Sequence, residues 1–141
     1  MPIRKAWAMW EGSLKEGKGL FRLKDGYETR FSFGSRFEES EGSNPEELLG
    51  AAHAGCFSMA FSGALGLRGF PPERISTTAN VTIVKGAEGF RITEIELDTE
   101  ARVPGIDEKT FLEVAEGAKK GCPVSRALAA ITIKLKAKLL P

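Results

Sequence analysis

The sequence has few of the residues that bind metals or form covalent cross-links. Its two cysteines, Cys56 and Cys122, are 66 positions apart, and His53 is its one histidine. Structural zinc sites use four ligands at short paired spacings, so this residue set excludes most of them. The chain also lacks a C-x-x-C motif, which argues against a general thiol–disulfide oxidoreductase.

An excess of either charge is missing as well. The chain carries 20 Lys and Arg against 19 Asp and Glu, for a net charge of +1. On electrostatic grounds, neither a nucleic acid nor a membrane surface is therefore expected as a partner. The first apolar residues alternate with charged ones, unlike those of a secretory signal, so we expect a cytoplasmic protein.

The length and composition of the chain predict a single soluble domain over residues 1–141. Hydrophobic residues make up 42% of the sequence and charged residues 28%, which is close to the average for globular proteins. We predict strands at 4–11, 20–24, 28–33, 75–84, 90–102 and 131–139, helices at 44–67 and 108–120, a short helix that begins at Cys122-Pro123, and a polar loop at 35–43. This order indicates an α+β fold, an antiparallel sheet with helices on one face.

The helix predicted at 44–67 has clear start signals and an unusual distribution of apolar residues. Asn44 suits the N-cap, Pro45 the first helical position, and Glu47 lies three residues after the cap. Apolar side chains cover most of the helix circumference, which predicts burial on nearly all sides, in a core or against a partner subunit. Four glycines, His53 and Ser58 in this stretch favour a buried soluble helix over a membrane span.

Each cysteine supports two interpretations when taken alone. Cys56 lies inside the apolar helix, where a free cysteine most often serves as a small core residue. A reactive thiol there would need a nearby cation, because apolar surroundings raise the pKa of a thiol; Arg30 and Arg36 are candidates. Cys122 precedes Pro123 at a predicted helix start, where backbone N–H groups and the helix dipole favour a thiolate. The alternative is a capping residue that happens to be cysteine.

Two other residues of the central helix have both structural and functional interpretations. His53 precedes Cys56 by about one turn; it could assist as a base, but we expect a core histidine bonded to backbone. Glu46 complements the helix dipole at the N-terminus. At about 1.5 Å per residue, Glu46 lies roughly 15 Å along the axis from Cys56. On one straight helix it therefore cannot touch that thiol, but it could orient an arginine or meet the cysteine of a partner subunit.

Several segments together resemble the osmotically inducible protein C (OsmC) family, which is related to the organic hydroperoxide resistance (Ohr) proteins. The matching segments are Arg36-Phe37-Glu38, the long run from Asn44 to Ala60, Val103 to Asp107, and Gly121 to Ser125. The resemblance covers nearly the whole chain, and the long central motif is highly specific. His53, where Ohr proteins tend to carry an aromatic residue, favours the OsmC branch.

The resemblance implies a fold, an assembly and a reaction. The implied fold is an intertwined homodimer in which antiparallel sheets wrap around two long buried central helices, with active sites at the interface. The implied site residues are a peroxidatic Cys56, a resolving Cys122, Arg36 and Glu46; Arg36 matches because it directly precedes Phe37-Glu38, whereas Arg30 does not match. The implied enzyme reduces organic hydroperoxides and hydrogen peroxide, under oxidative or osmotic stress.

The implied reaction uses the two thiols alone, without a metal or flavin cofactor. Attack on the peroxide leaves a sulfenic acid, the second cysteine converts it to an intramolecular disulfide, and a dithiol resets the pair. A lipoylated protein, thioredoxin or a small dithiol would serve as reductant. A non-catalytic module that binds a small hydrophobic ligand at the interface is the main alternative, and the presence of Arg36, Glu46 and both cysteines argues against it.

Overall fold

The computed structural model describes all residues from Met1 to Pro141, and they form two compact units, Met1–Leu48 and Leu49–Pro141. The first unit contains β1 (Ala6–Glu11), β2 (Lys18–Leu23), β3 (Glu28–Phe31), α1 (Phe33–Phe37) and the first residues of α2 (Pro45–Leu67). The second contains the rest of α2, β4 (Arg74–Gly86), β5 (Gly89–Arg102), α3 (Glu108–Gly121), α4 (Pro123–Ala127) and β6 (Thr132–Leu139).

The sheet of the first unit is an antiparallel meander in the order β1-β2-β3. Its strands are held by cross-strand aromatic contacts: the Phe21 and Phe31 rings stack at 3.9 Å, and Trp10 lies 5.4 Å from Phe31. In the turn between β2 and β3, Gly26 has a φ of 91°, a conformation that glycine adopts without steric cost.

The predicted polar loop at 35–43 is wrong at its start, because α1 occupies Phe33–Phe37. A reciprocal capping box begins this helix: the Ser35 N–H donates to Ser32 Oγ at 3.1 Å, and the Ser32 N–H donates to Ser35 Oγ at 2.8 Å. Serine at both positions satisfies backbone donors that a short helix otherwise leaves unpaired. The charged residues that follow α1 indicated a loop, and the capping serines were therefore not recognised from the sequence.

The central helix α2 has the predicted bounds, and the Glu47 N–H donates to Asn44 Oδ1 at 2.8 Å, as expected of an N-cap. Within one chain, however, one side of the helix is covered and the other is exposed. Phe57, Phe61 and Leu65 are fully buried, whereas Met59 is 79% exposed. By length and composition α2 could cross a membrane, but a core helix of a soluble protein meets the same criteria.

The sheet of the second unit has the order β4-β5-β6. The β4–β5 pair is antiparallel, but β6 pairs parallel to β5, unlike the antiparallel arrangement expected from the sequence. The reason is the connection, since α3 and α4 carry the chain back across the sheet before β6 begins. Asp107 caps α3 by accepting from the Thr110 N–H at 3.0 Å, and Phe111 of α3 packs 5.3 Å from Phe61.

Candidate active site

An arginine–carboxylate pair forms in the first unit. Arg36 lies in the last turn of α1 and Glu46 in the first turn of α2. Arg36 Nη2 donates to Glu46 Oε1 at 2.7 Å, and its Nε lies 3.1 Å from both carboxylate oxygens. The Glu46 side chain is 9% exposed and that of Arg36 is 34% exposed. The carboxylate thus fixes one edge of the guanidinium, and Nη1 donates to neither of its oxygens.

The residues alone do not specify which arginine Glu46 orients. The structure brings Arg36 to Glu46, as the resemblance implied. Arg30 instead lies exposed in β3, where it is paired with Leu20 of the adjacent strand. A second hydrogen bond joins α1 to the residue that precedes α2, since Asn44 Nδ2 donates to the Ser35 carbonyl at 3.0 Å.

The two cysteines come together in the second unit. Both are free thiols; Cys56 on α2 is partly exposed and Cys122 is fully buried. Cys122 lies near enough to Cys56 to raise the pKa of that thiol. The fold therefore brings near each other two cysteines that are 66 positions apart in the sequence.

The first residues of α4 lie beside both cysteines. Cys122 is the N-cap of this helix and accepts from the Ser125 N–H at 3.3 Å, so its predicted place at a helix start is confirmed. The Val124 N–H lies close enough to Cys56 to lower the pKa of its thiol. Pro123, at the first helical position, has no N–H to satisfy.

The pKa of the Cys56 thiol is raised above its ordinary value, chiefly by burial. The Val124 N–H acts in the opposite direction, and the neighbouring Cys122 adds to the rise through its hydrogen bond and its charge when ionised. Because the thiolate is the nucleophile, Cys56 needs a further positive charge to react rapidly at neutral pH.

His53 lies on the Cys122 side of the cysteine pair. It is fully buried, and its Nε2 lies 2.7 Å from Ser125 Oγ, which in turn accepts from the Cys122 thiol at 3.2 Å. The expected backbone partner is therefore wrong; the partner is a side-chain hydroxyl. Burial lowers the pKa of His53 below its ordinary value.

Sequence reasoning missed Ser125, although it falls in one of the matching segments. Its position supplied a signal: it is the third residue after an N-capping cysteine, where a backbone N–H reaches back to the cap. The partner of the Ser125 hydroxyl could not be predicted in the same way, because that partner, His53, lies 72 positions away in the sequence.

The profile of the OsmC-like protein family matches residues 38–136. This range includes Glu46, Cys56 and Cys122, and it crosses from the first compact unit into the second. The chain belongs to the OsmC-like protein family. Proteins named peroxiredoxin OsmC from Escherichia coli (strain K12) and Shigella flexneri are each 49% identical to it over 138 residues, or 96% of this chain and 96% of the relative.

Solved structures show the same OsmC-like fold. An organic hydroperoxide resistance protein from Legionella pneumophila has a TM-score of 0.74 at 22% identity and covers 98% of this chain and 99% of its own. One from Elizabethkingia anophelis, with crystallant-derived thiocyanate bound, has a TM-score of 0.77 at 23% identity and covers 99% of each chain. The α+β class and the family expected from the sequence are confirmed.

Proposed function

We propose that Cys56 is the peroxidatic cysteine of this thiol-dependent peroxidase and that Cys122 resolves it through an intramolecular disulfide. The observation that carries the proposal is the proximity of a partly exposed thiol to a buried one at a helix start. Relatives named peroxiredoxin at 49% identity support the peroxidase activity. The family match across both compact units supports their action as one OsmC-like peroxidase domain.

The proposed cycle uses only the two sulfur atoms as redox centres. The Cys56 thiolate attacks the outer oxygen of the hydroperoxide, the O–O bond breaks, and the alkoxide leaves as an alcohol after gaining a proton. Cys56 is now a sulfenic acid. The Cys122 sulfur attacks it, an S–S bond forms, and the sulfenic oxygen leaves as water. An external dithiol then reduces the disulfide by two exchange steps and is itself oxidised.

Arg36 is proposed to supply the positive charge that Cys56 lacks. A guanidinium favours the thiolate and can hydrogen-bond the developing alkoxide. The bonds from Arg36 to Glu46 fix the guanidinium at the N-terminal end of α2, and Cys56 follows Glu46 by ten residues on that helix, or roughly 15 Å. We therefore propose that the Arg36–Glu46 pair of one subunit serves the partner subunit's Cys56.

The exposed side of α2 supports a homodimer. Only 28% of the most apolar stretch of the helix is buried within one chain. After the charged Glu47 in the first turn, every exposed residue of the helix is apolar or glycine: Ala51, Ala52, Gly55, Met59, Gly63, Gly66 and Leu67. Small residues allow two helices to approach closely, and a two-fold axis would let the same surface meet its copy.

A charge on this side should separate the subunits. We expect Met59→Glu to weaken dimerisation about 100-fold or more, because an unpaired buried carboxylate costs about 3 kcal/mol or more. Sedimentation velocity over a concentration series measures the effect. Leu112→Glu, an equivalent change at an exposed position of α3, is the matched control. A monomeric wild type, or equal dissociation constants in all three proteins, would contradict the dimer.

Treatment of the reduced wild type with peroxide should close the disulfide without any other reagent. We expect one equivalent of tert-butyl hydroperoxide to consume both thiols and to join Cys56 to Cys122 within one chain. Thiol titration and peptide mapping by mass spectrometry without reduction measure this. Only a disulfide between subunits, or loss of one thiol per chain at completion, would argue against Cys122 as the resolving residue.

We further propose organic hydroperoxides and hydrogen peroxide as substrates, and a dithiol as the reductant, either a lipoylated protein or thioredoxin. The cytoplasm is the proposed compartment, since a cysteine pair there is more often catalytic than structural. A role in oxidative stress follows from the chemistry, because such an enzyme removes peroxides before they oxidise other thiols; the proposed role in osmotic stress rests on the membership of the OsmC-like family.

A further inference from the structure

His53 is a buried titratable side chain that the peroxidase cycle does not use, yet one hydroxyl connects it to the resolving thiol. His53 and Cys122 are fully buried, and Ser125 between them is 4% exposed. The distances are 2.7 Å from His53 Nε2 to Ser125 Oγ and 3.2 Å from Ser125 Oγ to Cys122 Sγ. All three residues lie in the second compact unit.

The hydrogen bonds of this cluster have a consistent direction. The Cys122 thiol donates to Ser125 Oγ, and the Ser125 hydroxyl is then available to donate to His53 Nε2. With Nε2 as acceptor, neutral imidazole carries its proton on Nδ1. Nδ1 is buried and has no hydrogen-bond partner in the chain. A buried polar atom without a partner is unfavourable, and packing alone gives no reason for histidine at this position.

We propose that Ser125 and His53 form a proton relay that deprotonates Cys122 as it attacks the sulfenic acid of Cys56. This inference rests on the proposed function, because it assigns residues to the second step of that cycle. Ser125 touches the reacting sulfur and is a catalytic residue of the step. His53 acts through Ser125 and is a positioning residue, which polarises the hydroxyl and accepts its proton.

Burial of Cys122 is the reason that a relay is needed. Its thiol must lose a proton to become a nucleophile, and a fully buried thiol has no bulk water to receive it. Because burial lowers the pKa of His53, this histidine is neutral at neutral pH and has a free lone pair for the proton. The Ser125 backbone N–H, 3.3 Å from Cys122 Sγ, stabilises the negative charge that develops on sulfur.

The proposed step balances without any further reactant. The Cys122 proton moves to Ser125 Oγ while the Ser125 hydroxyl proton moves to His53 Nε2. The Cys122 sulfur forms the S–S bond, the Cys56 S–O bond breaks, and hydroxide leaves. The proton on Nε2 returns through the hydroxyl and neutralises the hydroxide, so the products are a disulfide and one water molecule.

The test separates the two chemical steps in a single turnover. Reduced protein is mixed with one equivalent of tert-butyl hydroperoxide, quenched at intervals with acid or with dimedone, and resolved by mass spectrometry into thiol, sulfenic acid and disulfide. In Ser125→Ala and His53→Gln, we expect sulfenic acid to form at the wild-type rate and to close to disulfide about 100-fold more slowly, as expected for loss of a general base. His53→Gln keeps an acceptor for the Ser125 hydroxyl but cannot take up a proton.

Two controls distinguish a relay from a packing role. Ser125→Thr restores the hydroxyl and should recover most of the closure rate; a folded Thr variant as slow as Ser125→Ala would count against the relay. Thermal unfolding reports on packing separately, and equal slowing of both steps together with a lower Tm would overturn the proposal. If either variant does not fold, the other carries the test.

The result that would overturn the relay differs from the result that would overturn the proposed function. Closure at the wild-type rate in both Ser125→Ala and His53→Gln would overturn the relay while leaving Cys56 and Cys122 in their roles. A wild type that forms no sulfenic acid on Cys56 would instead overturn the proposed function, and the relay with it.

Discussion

Cys56→Ser is expected to abolish the consumption of tert-butyl hydroperoxide and cumene hydroperoxide in the presence of a dithiol. The thiolate is the nucleophile in the proposed cycle, and a serine hydroxyl on the same helix has no comparable reactivity towards the O–O bond. Arg36 would remain in place, but it stabilises a charge that serine does not carry at neutral pH. The peroxide concentration is followed directly, with the dithiol alone as background.

Cys122→Ser is the matched comparison, because it makes the same atomic exchange at the neighbouring sulfur. Without reductant, we expect this variant to react once and to stall with a sulfenic acid on Cys56, since the chain has no other thiol to condense with it. Excess peroxide should then carry Cys56 on to the sulfinic and sulfonic acids. Undiminished peroxide consumption by Cys56→Ser, in a protein that unfolds at the wild-type temperature, would rule out the proposed function.

Features with local causes were predictable from the sequence. The bounds of α2 follow from Asn44 and Pro45 at one end and from Gly69 beyond the other, because caps and helix-breaking residues act within one turn. The strict alternation of β6 predicted a strand. Its parallel pairing with β5 was not predictable, since that depends on where α3 and α4 return the chain.

The same distinction applies to the candidate site: a feature with a local cause was predictable, and contacts between residues far apart in the sequence were not. The helix-start position of Cys122 was predicted from Pro123 alone, and the N–H of Ser125 does reach its sulfur. The meeting of Cys56 with Cys122 joins residues 66 positions apart, and no local pattern specifies which of them pack together. The contact of His53 with Ser125 likewise depends on how α2 packs against α4. Family resemblance, rather than physical chemistry of the sequence, named Arg36 and Glu46 as a pair.

Arg36→Ala should slow the first chemical step by about 100-fold or more, as is typical when a preorganised charge or donor is lost from a reacting centre. Arg36→Ala leaves the Glu46 carboxylate, whose side chain is 9% exposed, without its partner, so thermal unfolding is measured alongside and the rate is compared only in a protein that remains folded. Arg36→Lys should recover only part of the rate, since an ammonium cannot bond Glu46 with two parallel donors. The rate of sulfenic acid formation in a single turnover measures both, and a wild-type rate in Arg36→Ala would remove Arg36 from the mechanism.

Mixing two inactive subunits tests whether Arg36 serves the partner subunit's Cys56. Unfolded Cys56→Ser and Arg36→Ala chains, refolded together in equal amounts, should recover about a quarter of wild-type activity. In a two-fold dimer, half of the randomly paired molecules are mixed, and each of these has one complete site of two. If Arg36 served its own chain, every site would lack either the thiolate or the cation, and no activity above that of Arg36→Ala would appear. Because Glu46 holds the guanidinium ten residues from Cys56 along α2, we expect recovery.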